Sequence, residues 1–326
     1  MADVVPHNRL TFGDEETAAV AAVVASGYWA GGPRVAELEQ ALAHAFGKPD
    51  AACVASGLSA LRLALAALGV GPGDEVLVPA YACVAIPNAV AALGATPVAG
   101  EIEPRTWTLA PTDARYAVAV HTFGAPADVA AFTGTLIDDA AHGLPAGIPP
   151  TAATITSFYA TKLIGGAEGG AVLGDLADAV RDARDYTDKP ASALRLNDKM
   201  NDLEAALTLA QLRRLPDLLA ARERLARRYG ERLAHLKTIA LPAEASGRVW
   251  YRYAVEAQHT TARELAAHLR EHGVIAHEPV EDWRSPEQRE ATPIATRAYE
   301  RLLSLPLYPT LTDAEQDRVI AALEAA

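Results

Sequence analysis

An α/β fold with a largely parallel sheet, followed by a smaller α/β unit, is predicted by three features of the chain. Its 326 residues exceed the size at which single hydrophobic cores usually stop growing, which favours one large domain plus a smaller one. From about residue 50, short apolar runs alternate with helical ones, the signature of parallel βαβ units. After a long helical stretch the alternation resumes on a smaller scale near the C-terminus. We expect a large domain over residues 1–236, including the N-terminal and connecting helices, and a small C-terminal domain over 237–326.

Residues 51–55 read as a buried strand, 57–68 as a helix, 75–79 as a strand, 84–93 as a helix and 96–100 as a strand. Gly71-Pro-Gly-Asp74 and Gly94-Ala-Thr-Pro97 supply the stop and turn chemistry that ends the two helices. Further strands are predicted at 117–121, 135–138, 152–158 and 170–173. Leu203, Leu207, Ala210 and Leu215 fall on one face of a long helix over 201–236, expected to bend near Pro216. A strand at 251–256 and helices at 261–271, 292–303 and 312–325 complete the small domain. No internal repeat is evident.

Half the residues are hydrophobic and 21% are charged, the balance of a chain folded throughout. Twenty-nine Lys and Arg against 41 Asp and Glu leave a net charge of −12 and no basic stripe, which argues against nucleic acid as a partner. An anionic small molecule stays admissible, because a few fixed cations and helix N-termini bind one locally. The two cysteines, Cys53 and Cys83, lie in apolar runs and read as core thiols, with no metal site. The N-terminus has no cationic start followed by an apolar segment, and no run reaches membrane-spanning length, so we expect a cytoplasmic protein.

In open α/β sheets, ligands bind beyond the carboxyl ends of the strands. Three such places stand out. Ser56-Gly-Leu-Ser59 follows the first strand and opens a helix, whose free N–H groups and dipole would hold a phosphate, although a serine cap is the plainer reading. Thr135-Leu-Ile-Asp-Asp-Ala-Ala-His142 brings Asp138 and Asp139 to a strand end with His142 just beyond, where a carboxylate could pair with a ring-nitrogen cation or simply cap a helix. Ser157-Phe-Tyr-Ala-Thr-Lys-Leu-Ile-Gly-Gly-Ala-Glu-Gly-Gly170 places Lys162 after a later strand, beside glycines that let the backbone pass close to a ligand. Taken singly, Lys162 reads as a surface charge; a desolvated lysine serves as a Schiff-base nucleophile. The three together, in this order, match what pyridoxal phosphate requires: an anchored phosphate, a protonated ring nitrogen and an aldehyde held as an imine.

These motifs resemble those of the DegT/StrS-type sugar aminotransferases, which belong to the fold type I pyridoxal phosphate enzymes of the aspartate aminotransferase superfamily. The resemblance runs nearly end to end. It includes Ser26-Gly-Tyr-Trp-Ala-Gly-Gly-Pro33, Ser56-Gly-Leu-Ser-Ala-Leu61 and Gly71-Pro-Gly-Asp-Glu-Val-Leu-Val-Pro79. His121 with Gly124, Asp138-Asp-Ala-Ala-His142, Asn197-Asp-Lys-Met200 and Leu305-Pro-Leu-Tyr-Pro309 extend it. A three-layer αβα large domain with a mostly parallel central sheet, plus a smaller C-terminal α/β domain, is implied.

The same resemblance implies roles. Lys162 would hold the cofactor, Asp139 would pair with the pyridine nitrogen, and His142 would lie near the ring hydroxyl. Gly57, Leu58 and Ser59, with the Ser157 hydroxyl, would bind the phosphate. Asn197, with Lys199, would reach the site of a neighbouring subunit, which implies a homodimer with shared active sites. Three positions depart from the family pattern: Leu58 stands where threonine is common, Cys83 occupies the often aromatic ring-stacking position with Tyr81 nearby, and Lys199 replaces arginine. The chain is also shorter than usual between Pro111 and Asp138 and around His277 to Trp283.

The activity implied is amino transfer from an amino acid, glutamate or glutamine, to a keto-sugar carried on a nucleotide, in sugar or secondary-metabolite biosynthesis, with pyridoxamine phosphate as the intermediate form. The alternatives are a smaller cyclic ketone, or elimination or aromatisation with the same cofactor, which the shortened loops favour. A non-catalytic regulatory homologue is a third, weakened by the retention of Lys162, Asp139 and Ser157.

Overall fold

The chain was analysed as a computed structural model that describes residues 4–144, 151–187, 190 and 195–326. Among these residues, the large sheet contains β1 (Ala51–Val54), β2 (Glu75–Pro79), β3 (Thr96–Gly100), β4 (Tyr116–Val120), β5 (Thr135–Asp139), β6 (Ala153–Ser157) and β7 (Gly170–Leu173). Their spatial order is β1-β7-β6-β5-β4-β2-β3. Strands β6, β5, β4, β2 and β3 run parallel, as the βαβ alternation predicts. Strand β7 is antiparallel to both neighbours, β6 and β1. The connection from β6 to β7 is the lysine-bearing loop, which contains no crossover helix, so the chain can only turn back on itself.

Alternation along the strands sorts the layers. Ala52 and Val54 of β1 face a core shared with α3 (Gly57–Ala67), α4 (Ala85–Ala91) and α5 (Ala177–Ala183). Ala51 and Cys53 face the opposite core, against α2 (Pro33–Phe46) and α6 (Asp202–Leu233). The result is the three-layer αβα arrangement. Helix α1 (Asp14–Ser26) packs along α6, where Gln211 and Arg214 bond the buried Glu16 carboxylate at 2.6 Å each. Helix α6 runs unbroken through Pro216, and its later turns, with Leu225, Tyr229 and Leu233, enter the C-terminal core.

The C-terminal region departs from expectation in one respect. Instead of a lone strand it contains an antiparallel sheet ordered β10-β9-β8, from β8 (Ile239–Ala240), β9 (Tyr253–Ala257) and β10 (Leu302–Leu305). Residues 302–303 were expected to extend a helix. That helix, α9 (Pro293–Arg301), stops at Arg301, and the four buried residues of β10 pair with β9. A short leucine-rich run carries no period of its own, and the partner strand decides it. Helices α7 (Ala262–Glu271) and α10 (Asp313–Glu324) pack on this sheet, and α8 (Pro286–Ala291), unanticipated, precedes α9.

The start of α2 shows how distant segments fix one another. The buried Asp202 carboxylate at the start of α6 accepts the N–H groups of Gly32 and Arg34, both at 2.8 Å. A Cβ on Gly32 would lie 2.8 Å from the same carboxylate, which explains the glycine before Pro33. Asp202→Ala leaves two half-buried donors without their acceptor and is expected to lower unfolding free energy by roughly 1–3 kcal/mol, read from urea midpoints.

Candidate active site

The carboxyl ends of β2, β4, β5 and β6 converge with the start of α3 on a cleft of about 330 Å³. Strands of a parallel sheet end on one edge, so residues far apart in sequence meet there. Ser56 caps α3, its hydroxyl accepting the Ser59 N–H at 3.0 Å. The first-turn N–H groups of Gly57 and Leu58 have no acceptor within the helix and are available to an anion. Ser157, at the end of β6, sits directly against this turn: a Cβ on Gly57 would lie 2.8 Å from Ser157 Cβ. Only glycine lets the two meet. Gly57→Ala is expected to cost ~1–3 kcal/mol of stability by overpacking and to weaken anion binding at the turn, measured by denaturation and by phosphate titration.

At the end of β5 the alternation of strand side chains separates the two aspartates. Asp138 is fully buried, with Oδ1 2.6 Å from His121 Nε2. His121 Nδ1 accepts the Ala127 N–H at 2.9 Å, so the ring's proton sits on Nε2 and faces Asp138. Asp139 lines the cleft, and Oδ1 accepts the Ala141 N–H at 2.9 Å. Burial pushes its carboxyl up to about 6, against the opposing pull of the Ala141 N–H and the Lys162 charge.

His142 stacks between two rings, Phe123 at 5.9 Å and Tyr251 at 4.5 Å. Its Nδ1 is buried with no hydrogen-bond partner among the described residues, and burial, with Lys162 next, holds the imidazole well below its usual range. Lys162 Nζ lies 4.9 Å from the centre of the Tyr251 ring. Burial would raise the Tyr251 phenol, yet Lys162, Arg252, a Thr161 hydrogen bond and Arg222 together bring it down to about 8. Tyr251, Phe123 and Arg252 were not anticipated as cleft residues. Tyr251 and Arg252 read from sequence only as the start of a strand, while Phe123, inside the His121–Gly124 turn, adopts φ 54°, which no pattern reveals.

The lysine loop is held as an irregular extension of the β6–β7 pair. Phe158 N–H donates to Gly169 O at 2.8 Å, Ala160 N–H to Ala167 O at 3.0 Å, and Gly166 N–H to Phe158 O at 2.7 Å. The glycines have a packing role within the chain itself. A Cβ on Gly166 would fall 2.0 Å from Thr208 Oγ1 of α6, and one on Gly170 would fall 2.6 Å from the Ser56 backbone. The glycines let the loop nest against its own chain, and that nesting presents Lys162 to the cleft. Cys83, expected in the core, is exposed and lines the cleft beside Tyr81, because the chain leaves the sheet after β2; Cys53 is buried as expected. Asn197 lies outside the cleft of its own chain, bridged to Asp185, while Lys199 Nζ pairs with Asp185 at 2.7 Å.

A model of the DegT/DnrJ/EryC1/StrS aminotransferase family matches residues 11–324. The chain belongs to this family. The aminotransferase is similar to S. venezuelae DesV, solved in complex with a ketimine intermediate, at 31% identity and TM-score 0.85, covering 95% of this chain and 94% of that one. AtS13 from Actinomadura melliaura is 26% identical with TM-score 0.89 over 100% and 99% of the two chains. NtdA from Bacillus subtilis, solved with bound cofactor PMP, is 26% identical with TM-score 0.87 over 96% and 82%. The expected family, the αβα fold and the aminotransferase class therefore agree with these matches. No helix among the described residues is long and apolar enough to cross a membrane, and no group of His, Cys, Asp and Glu among them could hold a metal.

Proposed function

We propose that this pyridoxal phosphate-dependent aminotransferase moves an amino group from glutamate or glutamine to a keto-sugar carried on a nucleotide. The observation that carries the reading is the meeting of Lys162, Asp139 and the α3 N-terminus in one cleft. The residues fit the cofactor. The α3 turn with Ser157 suits its phosphate, Asp139 is a buried carboxylate without a cationic hydrogen-bond partner, and the orphaned His142 Nδ1 can meet a ring hydroxyl. Bound there, the cofactor supplies an aldehyde that takes up the amine and a ring that accepts electron density.

Gly57, Leu58 and Ser157 bind the phosphate, while Ser59, expected beside them, lies outside the cleft lining with its N–H held by the Ser56 hydroxyl. Asp139, pushed toward its neutral form by burial, ionises when a ring-nitrogen cation is set beside it and keeps that nitrogen protonated. Lys162 Nζ would hold the cofactor's aldehyde and, once free, would carry the donor's Cα proton. Cys83 and Tyr81 line the same cleft. Asn197, exposed and outside its own cleft, serves the site of a second copy, which makes the working unit a homodimer in the cytoplasm.

A purified protein absorbing as a yellow imine, with borohydride fixing the cofactor to the Lys162 peptide, is the expected result; a colourless protein that takes up no pyridoxal phosphate overturns the reading. Half-reaction spectra against amino donors and keto-sugars then test the substrates. The predominantly apolar lining, with Leu58, Ile86 and Val280, favours a second reading in which the acceptor is a smaller cyclic ketone. Amination of such a ketone with no turnover of nucleotide-linked sugars would select it.

A further inference from the structure

Lys162 and Arg252 are the lysine and arginine side chains that line the cleft among the described residues, and only one of them has an assigned task. The guanidinium of Arg252 lies 5.1 Å from the centre of the Tyr251 ring, the same ring that carries Lys162 Nζ at 4.9 Å. Other buried arginines are spoken for within the fold. Arg222 donates to the carbonyls of Tyr251 and Leu307 at 3.1 and 2.9 Å, and Arg284 pairs with Asp282 at 2.8 Å. Arg252 has no carboxylate within ion-pair distance among the described residues, and its Nε is buried without a hydrogen-bond partner. Its one polar contact is Nη1 to His7 Nε2 at 3.4 Å.

That contact orients the fork without neutralising it. His7 Nε2 also lies 3.0 Å from Ser304 Oγ, so two donors converge on one ring nitrogen, which must be the unprotonated one. Burial, then Arg252 and His277, lowers the His7 imidazole to about 3, so it remains a neutral acceptor at working pH. A planar guanidinium that lines the cleft and has no carboxylate partner among the described residues has the donor geometry that matches one.

We propose that Arg252 binds the α-carboxylate of the amino donor, with Tyr251 beneath the fork and His7 behind it. The proposal rests on the aminotransferase reading and deepens it. An α-carboxylate sits on the very carbon whose amine replaces Lys162, so a cation sharing one aromatic ring with Lys162 is placed for it. The phosphates of a nucleotide-linked sugar lie several bonds from the reacting carbonyl.

The test compares Arg252→Gln and Arg252→Lys with the unmodified holoenzyme, using L-glutamate alone to bleach the cofactor band and calorimetry with glutarate and with uridine diphosphate. Retention of the cofactor band by the variants reports an intact site. Arg252→Gln is expected to lower the glutamate half-reaction rate constant per molar by roughly 10²-fold and to weaken glutarate at least tenfold, with uridine diphosphate unchanged. Arg252→Lys should fall between, because it keeps charge and loses the fork. Glutamate and glutarate constants within twofold of the unmodified protein, or a loss confined to uridine diphosphate, overturn the proposal. The acceptor plays no part in these measurements, so a wrong acceptor assignment leaves the result standing, and glutarate binding reads Arg252 even without turnover.

Discussion

Replacing Lys162 with alanine is expected to lower turnover by about 10⁴-fold or more while the protein still folds and still takes up cofactor. Two functions leave with one amine: the covalent hold on the aldehyde and the base that carries the donor's Cα proton. The phosphate cradle, formed by the α3 N-terminus and Ser157, involves no atom of Lys162, so cofactor stays bound, without the covalent link. Stability should change little, because Lys162 is half-buried and its side chain makes no ion pair among the described residues; its recorded contact is with the face of Tyr251. Single-turnover spectra and a denaturation curve check both halves. A variant that turns over within tenfold of the unmodified enzyme would remove Lys162 from the mechanism.

Asp139→Asn is expected to cost roughly 10²- to 10³-fold in turnover, since it leaves a buried ring cation without its anion, a loss of ~3–4 kcal/mol at which each 1.36 kcal/mol is tenfold. The same residue gives the apoprotein a pH signature. Burial raises the Asp139 carboxyl from 3.8 to about 6, so the folded state favours the protonated form. The stabilisation is present below about pH 4 and is lost as pH rises through about 6, amounting to ~3 kcal/mol for this fully buried group. Asparagine has no proton to lose, so unfolding free energies of the variant should lack that slope. Bound cofactor should also suppress it in the unmodified enzyme, because a cation at the ring nitrogen pulls the carboxyl back down. Urea midpoints between pH 4 and 7, with and without pyridoxal phosphate, measure all three cases.

Much of this site is legible in the chain because each part has a local signature. A serine before a helical run, an acid at the end of an apolar strand and a lysine beside glycines are short-range patterns. Cys83 misleads because an apolar neighbourhood is a statement about composition, whereas its exposure follows from where the chain leaves β2. Leu302 and Leu303 mislead because a short leucine-rich run suits a helix or a strand, and pairing with β9 alone decides between them. The glycines of the lysine loop are visible as a cluster, yet their purpose depends on Thr208 and the Ser56 backbone, which lie distant in sequence.

The sequence by itself determined the αβα class, the family and the identities of Lys162, Asp139 and Ser157, because helix caps, strand ends and glycine turns are written in runs of a few residues. Tertiary structure supplied the reason that Asp139 and not Asp138 faces the cleft, since the alternation of β5 gives Asp139 to the cavity and Asp138 to His121. It alone gathered Phe123, Tyr251 and Arg252 around Lys162, three side chains with no periodic or motif signal. Their partnership exists only where the edge of the parallel sheet meets the segment leading into β9, and contacts between segments so far apart leave no trace in either segment's own pattern.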